Sequence, residues 1–464
     1  MSRVPPVVRH LLHPAGVRLD AVPPRPSRAI VWIIRMVGPL YRRAIMAMAP
    51  VATDNLQPLE AVLADPKTLT FIAFRHPSKD DPLIIFQTVD RLRRNGADAP
   101  VFLYGRGVPV WGGPIVAWLL PRIGAISVFH SAINRNSMAH VRRQISSRGA
   151  PICLAPEAQV TYHNYRVAPI QRGTASLAID AATAGRSVAI VPVALEFRYP
   201  DRHHHRFFRF LRHLESRVAR PVPSALAADP IGRLWWLLKS LAGAIGTLSP
   251  RDNPEDLSVE TMNEALQDAL ANALNRAEQS LGLPPSRQAP VDRIFRARQR
   301  FWDLAFPRTV HTDPPVGSLR RAMQDIQAVE ARIAARWIEM ADVLAYLDAR
   351  YLAEVGLVPG SQLPTAGSSR HARLVEYLLT SHDLANRMLG YSLGSRAHWR
   401  GRRCTVRGGT PRFVAPEPVP HRAHKNQNHH HDEPAPIKPS RRQRVHELTK
   451  WLTTTLHDLS NPLD

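Results

Sequence analysis

The sequence predicts an α/β protein: a mostly parallel central sheet flanked by helices, with an added C-terminal helical region. Three observations predict it. Between Leu59 and Phe197, apolar β-prone runs alternate with helix-like runs. Pro284-Pro285 then marks a boundary. Beyond it, residues 291–395 carry Leu, Ile, Val and aromatic residues at helical spacing, as in a bundle packed on itself or on the first domain.

The elements follow in order. Residues 1–28 are rich in Pro and Arg and read as a poorly ordered basic segment. Residues 29–57 read as amphipathic helices, with Gly38-Pro39 as a kink or split. Their Trp32, Arg35, Arg42 and Arg43 fit a membrane interface, where Arg snorkels to phosphates, and equally a helix packed on the protein's own core. The main domain spans residues 58–285. Its strands are expected at 69–74, 100–104, 124–129, 151–155 and 188–197, and its helices at 83–95, 112–120, 135–148 and 170–184. Ile231 to Leu248, with Trp235 and Trp236, is a second interfacial candidate whose alternative is again the core. Val259 to Leu281 spaces Met262, Leu266, Leu270 and Leu274 by four, a packing helix. The helical region at 291–395 divides into 291–304, 318–352 and 370–389. Residues 396–464 read as a basic, largely disordered tail ending in an amphipathic helix over 440–459. That helix could dock on the body or on a membrane.

Composition narrows the function. In 464 residues, 61 basic against 38 acidic residues give a net charge of +23. Such a balance favours polyanionic partners, whether anionic lipid, phosphorylated substrate or nucleic acid. No nucleic-acid module or zinc spacing appears, so nucleic acid is not an expected partner. The 2 cysteines, Cys153 and Cys404, supply no disulfide framework. No stretch has the eighteen or so apolar residues of a spanning helix, and no apolar leader with a small-residue cleavage site is evident. A cytoplasmic protein is expected. Adjacent His203, His204 and His205 point apart in a loop and read as a solvated turn, not a metal site.

Chemistry in parallel sheets gathers where strands turn into helices. Polar residues occupy three such turns, at His76–Asp81, Phe129–Arg135 and Pro156–Gln159. The first holds His76 and Asp81 in a His-x-x-x-x-Asp arrangement, with Pro82 suited to the first helical turn. A carboxylate that fixes an imidazole's tautomer lets it take a proton from an alcohol. With 21 histidines, chance alone supplies about one such spacing.

The surrounding blocks add specificity. After His76, Ser78 and Asp81 come Gly124-Ala125-Ile126-Ser127-Val128, then Leu154-Ala155-Pro156-Glu157-Ala158, then Arg172-Gly173 opening a small-residue helix, then Val191-Pro192-Val193-Ala194. In order and spacing over roughly residues 58–200, the chain resembles the glycerolipid acyltransferase family, typified by enzymes that acylate lysophosphatidic acid. The resemblance implies His76 as catalytic base and Asp81 as its orienting partner. It implies substrate contacts from Ser78, Arg135, Glu157, Arg172 and Gly173, with no metal and no cofactor beyond an acyl-CoA or acyl-carrier protein co-substrate. The departures fall on acceptor phosphate recognition. Phe129 and His130 stand where the family has Arg, and Ala158 stands where it has Gly. Glu157 either binds an acceptor hydroxyl or braces the turn.

The expected function is a membrane-associated O-acyltransferase acting at the inner face of the cell membrane. It would move a fatty acyl group onto a hydroxyl of a glycerolipid or lysophospholipid-type acceptor. The alternative is a catalytically degenerate relative used as a lipid-binding or scaffolding protein.

Overall fold

The computed structural model describes residues 23–93, 99–105, 108–128, 135–146, 150–218, 220–247, 256–305, 318–391, 397, 399–417 and 439–461. Its strands are β1 (Ala52–Asp54), β2 (Thr68–Phe74), β3 (Val101–Gly105), β4 (Ile126–Val128), β5 (Ile152–Leu154), β6 (Ser187–Arg198), β7 (Arg403–Gly408) and β8 (Arg412–Val414). They form one 8-stranded sheet in the order β1-β7-β6-β2-β5-β3-β4, with β8 also on β6. All pairings are parallel except β6–β7 and β6–β8.

The helices explain why the central strands read as unbroken apolar runs. Covered on both faces, β2 has no solvent side. Its Ile72 and Phe74 point into one core, while Leu69, Phe71 and Ala73 point into a second. The helices are α1 (Arg28–Ala44), α2 (Gln57–Ala64), α3 (Asp81–Leu92), α4 (Val108–Arg122), α5 (Arg135–Ser146) and α6 (Gly173–Thr183). After β6 come α7 (His205–Glu215), α8 (Pro230–Ile245), α9 (Val259–Ser280), α10 (Pro290–Ala305) and α11 (Ser318–Leu344). Then follow α12 (Arg350–Ala353), α13 (Ser369–Met388) and, at the end, α14 (Arg441–Ser460). The alternation expected for 58–200 is the one observed. The turn before β4 requires Gly124, whose φ is +78, a left-handed value that side chains resist.

The C-terminal part departs from the disordered reading. Arg403–Gly408 pairs in parallel with β1 and antiparallel with β6, and Arg412–Val414 adds to β6. The helical region is therefore inserted within the order of the sheet, and the main core contains residues of both. The 418–438 part of the expected tail lies outside the described residues. The closing helix docks on the body: Val445, Leu448, Leu452 and Leu456 are buried in the second core. A full capping box at Ser440 and Gln443 starts it, and Arg441 pairs with Asp180 at 2.7 Å.

The two interfacial candidates separate. In α8, Trp235, Trp236, Leu237 and Leu238 are all buried, so this is a core helix. In α1 the opposite holds: Trp32 is 60% exposed, Met36 58% and Leu40 67%. Its other face is tied to α3 through Arg35, which grips Asp90 at 2.6 and 2.9 Å, and through Arg42 to Gln87 at 3.1 Å. Gly38 permits that approach, since a Cβ there would lie 2.7 Å from Gln87 Nε2. The helix runs unbroken through Gly38-Pro39 instead of splitting there. Arg35 and Arg42 tie the helix to α3 on either side of the proline. No helix among the described residues is long and apolar enough to cross a membrane.

Candidate active site

The site grows from the end of β2. The strand register carries on one residue past Phe74, with Arg75 N–H donating to Val193 O at 2.8 Å. The chain then turns through His76–Asp80 and enters α3 at Asp81, with Pro82 in the first turn, where no N–H is required. Ile84, Ile85 and Val89 bury the inner face of α3 and so fix where that turn stands.

Within the turn, His76 Nδ1 lies 3.1 Å from Asp81 Oδ2. The same oxygen accepts the Ser78 backbone N–H at 2.7 Å. An ionised Asp81 must receive the proton of Nδ1–H, which leaves Nε2 of a neutral ring with its lone pair free. The carboxylate is fully buried, whereas 16% of the imidazole is open. Burial drives the Asp81 carboxyl up to about 6, against the opposing effect of the His76 hydrogen bond. Asp81 Oδ1 is buried with no partner. The positive end of α3 adds a partial charge beside the same turn.

The His76 main chain is held from both sides by the segment after β5. His76 N–H donates to Glu157 Oε2 at 2.9 Å, and Thr161 N–H donates to His76 O at 2.9 Å. Glu157 Oε1 accepts from Arg75 Nε at 3.1 Å and from Ala168 N–H at 2.9 Å. Arg75 spends its remaining donors on the carbonyls of Asn164, His163 and Arg166 and on Ser460 Oγ of α14. Glu157 has no exposed surface in its side chain. Of the two roles open to Glu157, acceptor contact or bracing, the structure shows bracing, because both oxygens are occupied inside the protein. Ala158 follows in the left-handed region at φ +60. The conformation for which a glycine was expected is thus present, carried by an alanine.

A cleft adjoins the turn, with Pro77, Ser78 and Asp80 facing Tyr162, Tyr199, Trp399 and Arg402, and His76 is not among its lining residues. Arg402, just before β7, ion-pairs with Asp80 and donates to Ser78 Oγ at 3.4 Å. Its guanidinium also lies 5.2 Å from the Phe197 ring centre. Sequence reasoning missed Arg402 and Arg75. The alternation Cys404, Val406, Gly408 inward and Arg403, Thr405, Arg407 outward was the available signal for the strand that carries Arg402.

Of the expected site residues, the structure brings together His76, Ser78, Asp81 and Glu157. Arg172 and Gly173 open α6 in exposed positions beside that cluster's bracing loop, through Gln171 N–H to Pro156 O at 2.8 Å. Arg135 begins α5, and its side chain lies outside the described residues, as does the whole segment 129–134. No protein-family model matches the chain, and no curated protein matches it.

Proposed function

We propose that the protein is an O-acyltransferase working at the inner face of an anionic membrane. It transfers a fatty acyl group from a CoA or carrier-protein thioester to a hydroxyl of a glycerolipid or lysophospholipid-type acceptor. The observation that carries this reading is the His76 Nδ1–Asp81 Oδ2 contact of 3.1 Å, in a turn where the ring stays partly open. His76 Nε2 takes the acceptor's hydroxyl proton as the oxygen attacks the thioester carbonyl. Asp81 stabilises the imidazolium that results. The tetrahedral adduct then collapses, the C–S bond breaks, and the imidazolium returns its proton to the leaving thiolate. The products are an oxygen ester and a free thiol.

The exposed face of α1 supports the membrane part of the reading. Trp32, Ile33, Met36, Val37, Leu40, Tyr41 and Ile45 form an apolar surface on a chain of net charge +23. The segment leading into α1 pairs with the end of α4, through Arg25 N–H to Pro121 O at 2.8 Å. In α4, Ile115 and Trp118 are also exposed.

The test is acyl transfer in vitro. Purified full-length protein is given labelled acyl-CoA or acyl-carrier protein and a panel of lysophospholipids and diacylglycerol-type alcohols in anionic vesicles. A labelled ester with one donor and acceptor supports the reading. Vesicle binding with no ester from any pair replaces it with a lipid-binding or scaffolding role.

A further inference from the structure

The loop after β6 and the first turn of α13 bring three side chains of ligand type together. Asp201, His204 and His371 each place one ligand atom within 4.8 Å of the others. His371 is wholly buried and Asp201 nearly so, while His204 is half-buried. The two rings stand 5.2 Å apart between centres. His204 Nδ1 is buried with no partner. The Tyr199 carbonyl lies near the His371 ring, but no hydrogen bond of good geometry reaches His371 Nε2. Two orphaned ring nitrogens beside a carboxylate are costly in a dry interior unless a proton or a cation joins them.

We propose that Asp201, His204 and His371 bind a divalent transition ion of the zinc class. Two imidazoles and one carboxylate are zinc donors, whereas magnesium and calcium favour all-oxygen shells. The carboxylate is already oriented: Asp201 accepts the backbone N–H of Arg206 at 3.1 Å and of Phe207 at 2.9 Å, which keeps it aimed at the cluster. Gly367 N–H donates to His371 Nδ1 at 3.2 Å. A metal on Nε2 moves the ring proton to Nδ1, so this long contact is given up for a dative bond. The competing arrangement keeps the proton on Nε2 and joins the three residues by hydrogen bonds alone.

The ion would clamp the end of the sheet's longest strand to the buried helix of the inserted region. It also stands behind the cleft, because Trp399 packs edge-on against His371 at 6.3 Å. His204 departs from the solvated turn expected of the His203–His205 run, since its Nδ1 is buried. The second histidine comes from 167 positions away (371 minus 204), which no local spacing reveals.

Zinc titration of chelator-stripped full-length protein, in competition with a chromophoric chelator, tests this. His204→Asn is the paired variant, because Asn tolerates the left-handed φ of +55 at that position. Wild type is expected to take up one tight equivalent and to melt at a higher temperature with zinc than without. His204→Asn is expected to bind that equivalent at least about tenfold more weakly and to lose the thermal gain. Zinc held elsewhere, as by His429–His431, survives the substitution. No tight equivalent in wild type, or one that His204→Asn retains unchanged, overturns the site and leaves a hydrogen-bonded cluster. None of these outcomes depends on acyl transfer.

Discussion

Two acid–base pairs stand side by side at the end of β2 and differ in how completely they are satisfied. Arg75 and Glu157 are both fully buried, and the four other acceptors around Arg75 and the two other backbone donors to Glu157 saturate them. His76 and Asp81 are different. One Asp81 oxygen is buried without a partner, its carboxyl is raised to about 6, and the imidazole opens to the outside. A satisfied pair holds the backbone in place. A pair left short of partners keeps a proton mobile. The first is the scaffold on which the second is aimed, since Glu157 itself receives the His76 N–H.

The comparison breaks if the two pairs respond alike to substitution. The largest stability effect belongs to Glu157→Ala. It strands a buried guanidinium and should cost about 3–5 kcal/mol in denaturant unfolding. A loss under about 1 kcal/mol would mean that Arg75 finds other compensation and is no anchor.

Asp81→Asn should act in the opposite sense. Turnover falls about a hundredfold or more, since the ring loses its orienting carboxylate. Stability at pH 7 does not fall. A carboxyl that sits at about 6 when folded and 3.8 otherwise holds its proton more tightly in the native state. Wild-type stability should therefore decline as pH rises from about 4 to 6, by roughly 3 kcal/mol. That slope should vanish in Asp81→Asn. Activity runs the other way in the same window, gaining as Asp81 ionises, so its acidic limb should centre near pH 6. Parallel pH series of unfolding and of turnover check both signs.

The contrast between α1 and α8 makes a surface version of the same point. Both carry Trp and Arg, yet only α1 leaves its apolar face open. Trp32→Ser should weaken flotation with anionic vesicles roughly tenfold, from about 1–2 kcal/mol of lost apolar burial, without changing the melting temperature. The smallest effect is Ala158→Gly. Removing a Cβ at φ +60 should raise stability by about 1 kcal/mol, read as a shift in the denaturant midpoint.

Much of this was legible in the chain itself. The β2 turn and the helix after it follow from an apolar β-prone run and a proline, both local, whereas the five-residue spacing of His76 and Asp81 rose above chance only through the order of the later blocks. The role of Glu157 was not, because whether a carboxylate faces substrate or a buried arginine depends on Arg75, 82 positions away. Burial of α8 was equally hidden, since an apolar stripe looks the same whether bilayer or protein covers it. Strands β7 and β8 were obscured by Arg-, His- and Pro-rich flanks, although Cys404, Val406 and Gly408 alternate inward as a strand should. Arg402 went unseen with them. In each case the missing information was which distant segment packs against the residue.

The central claim is that the His76 imidazole accepts the proton of a lipid hydroxyl. Single-turnover transfer from labelled acyl donor to lysolipid, compared between wild type and His76→Ala at equal unfolding midpoint, tests it most directly. The account predicts a fall of about a thousandfold or more in the variant, with donor binding retained. Transfer at an undiminished rate in His76→Ala would contradict it.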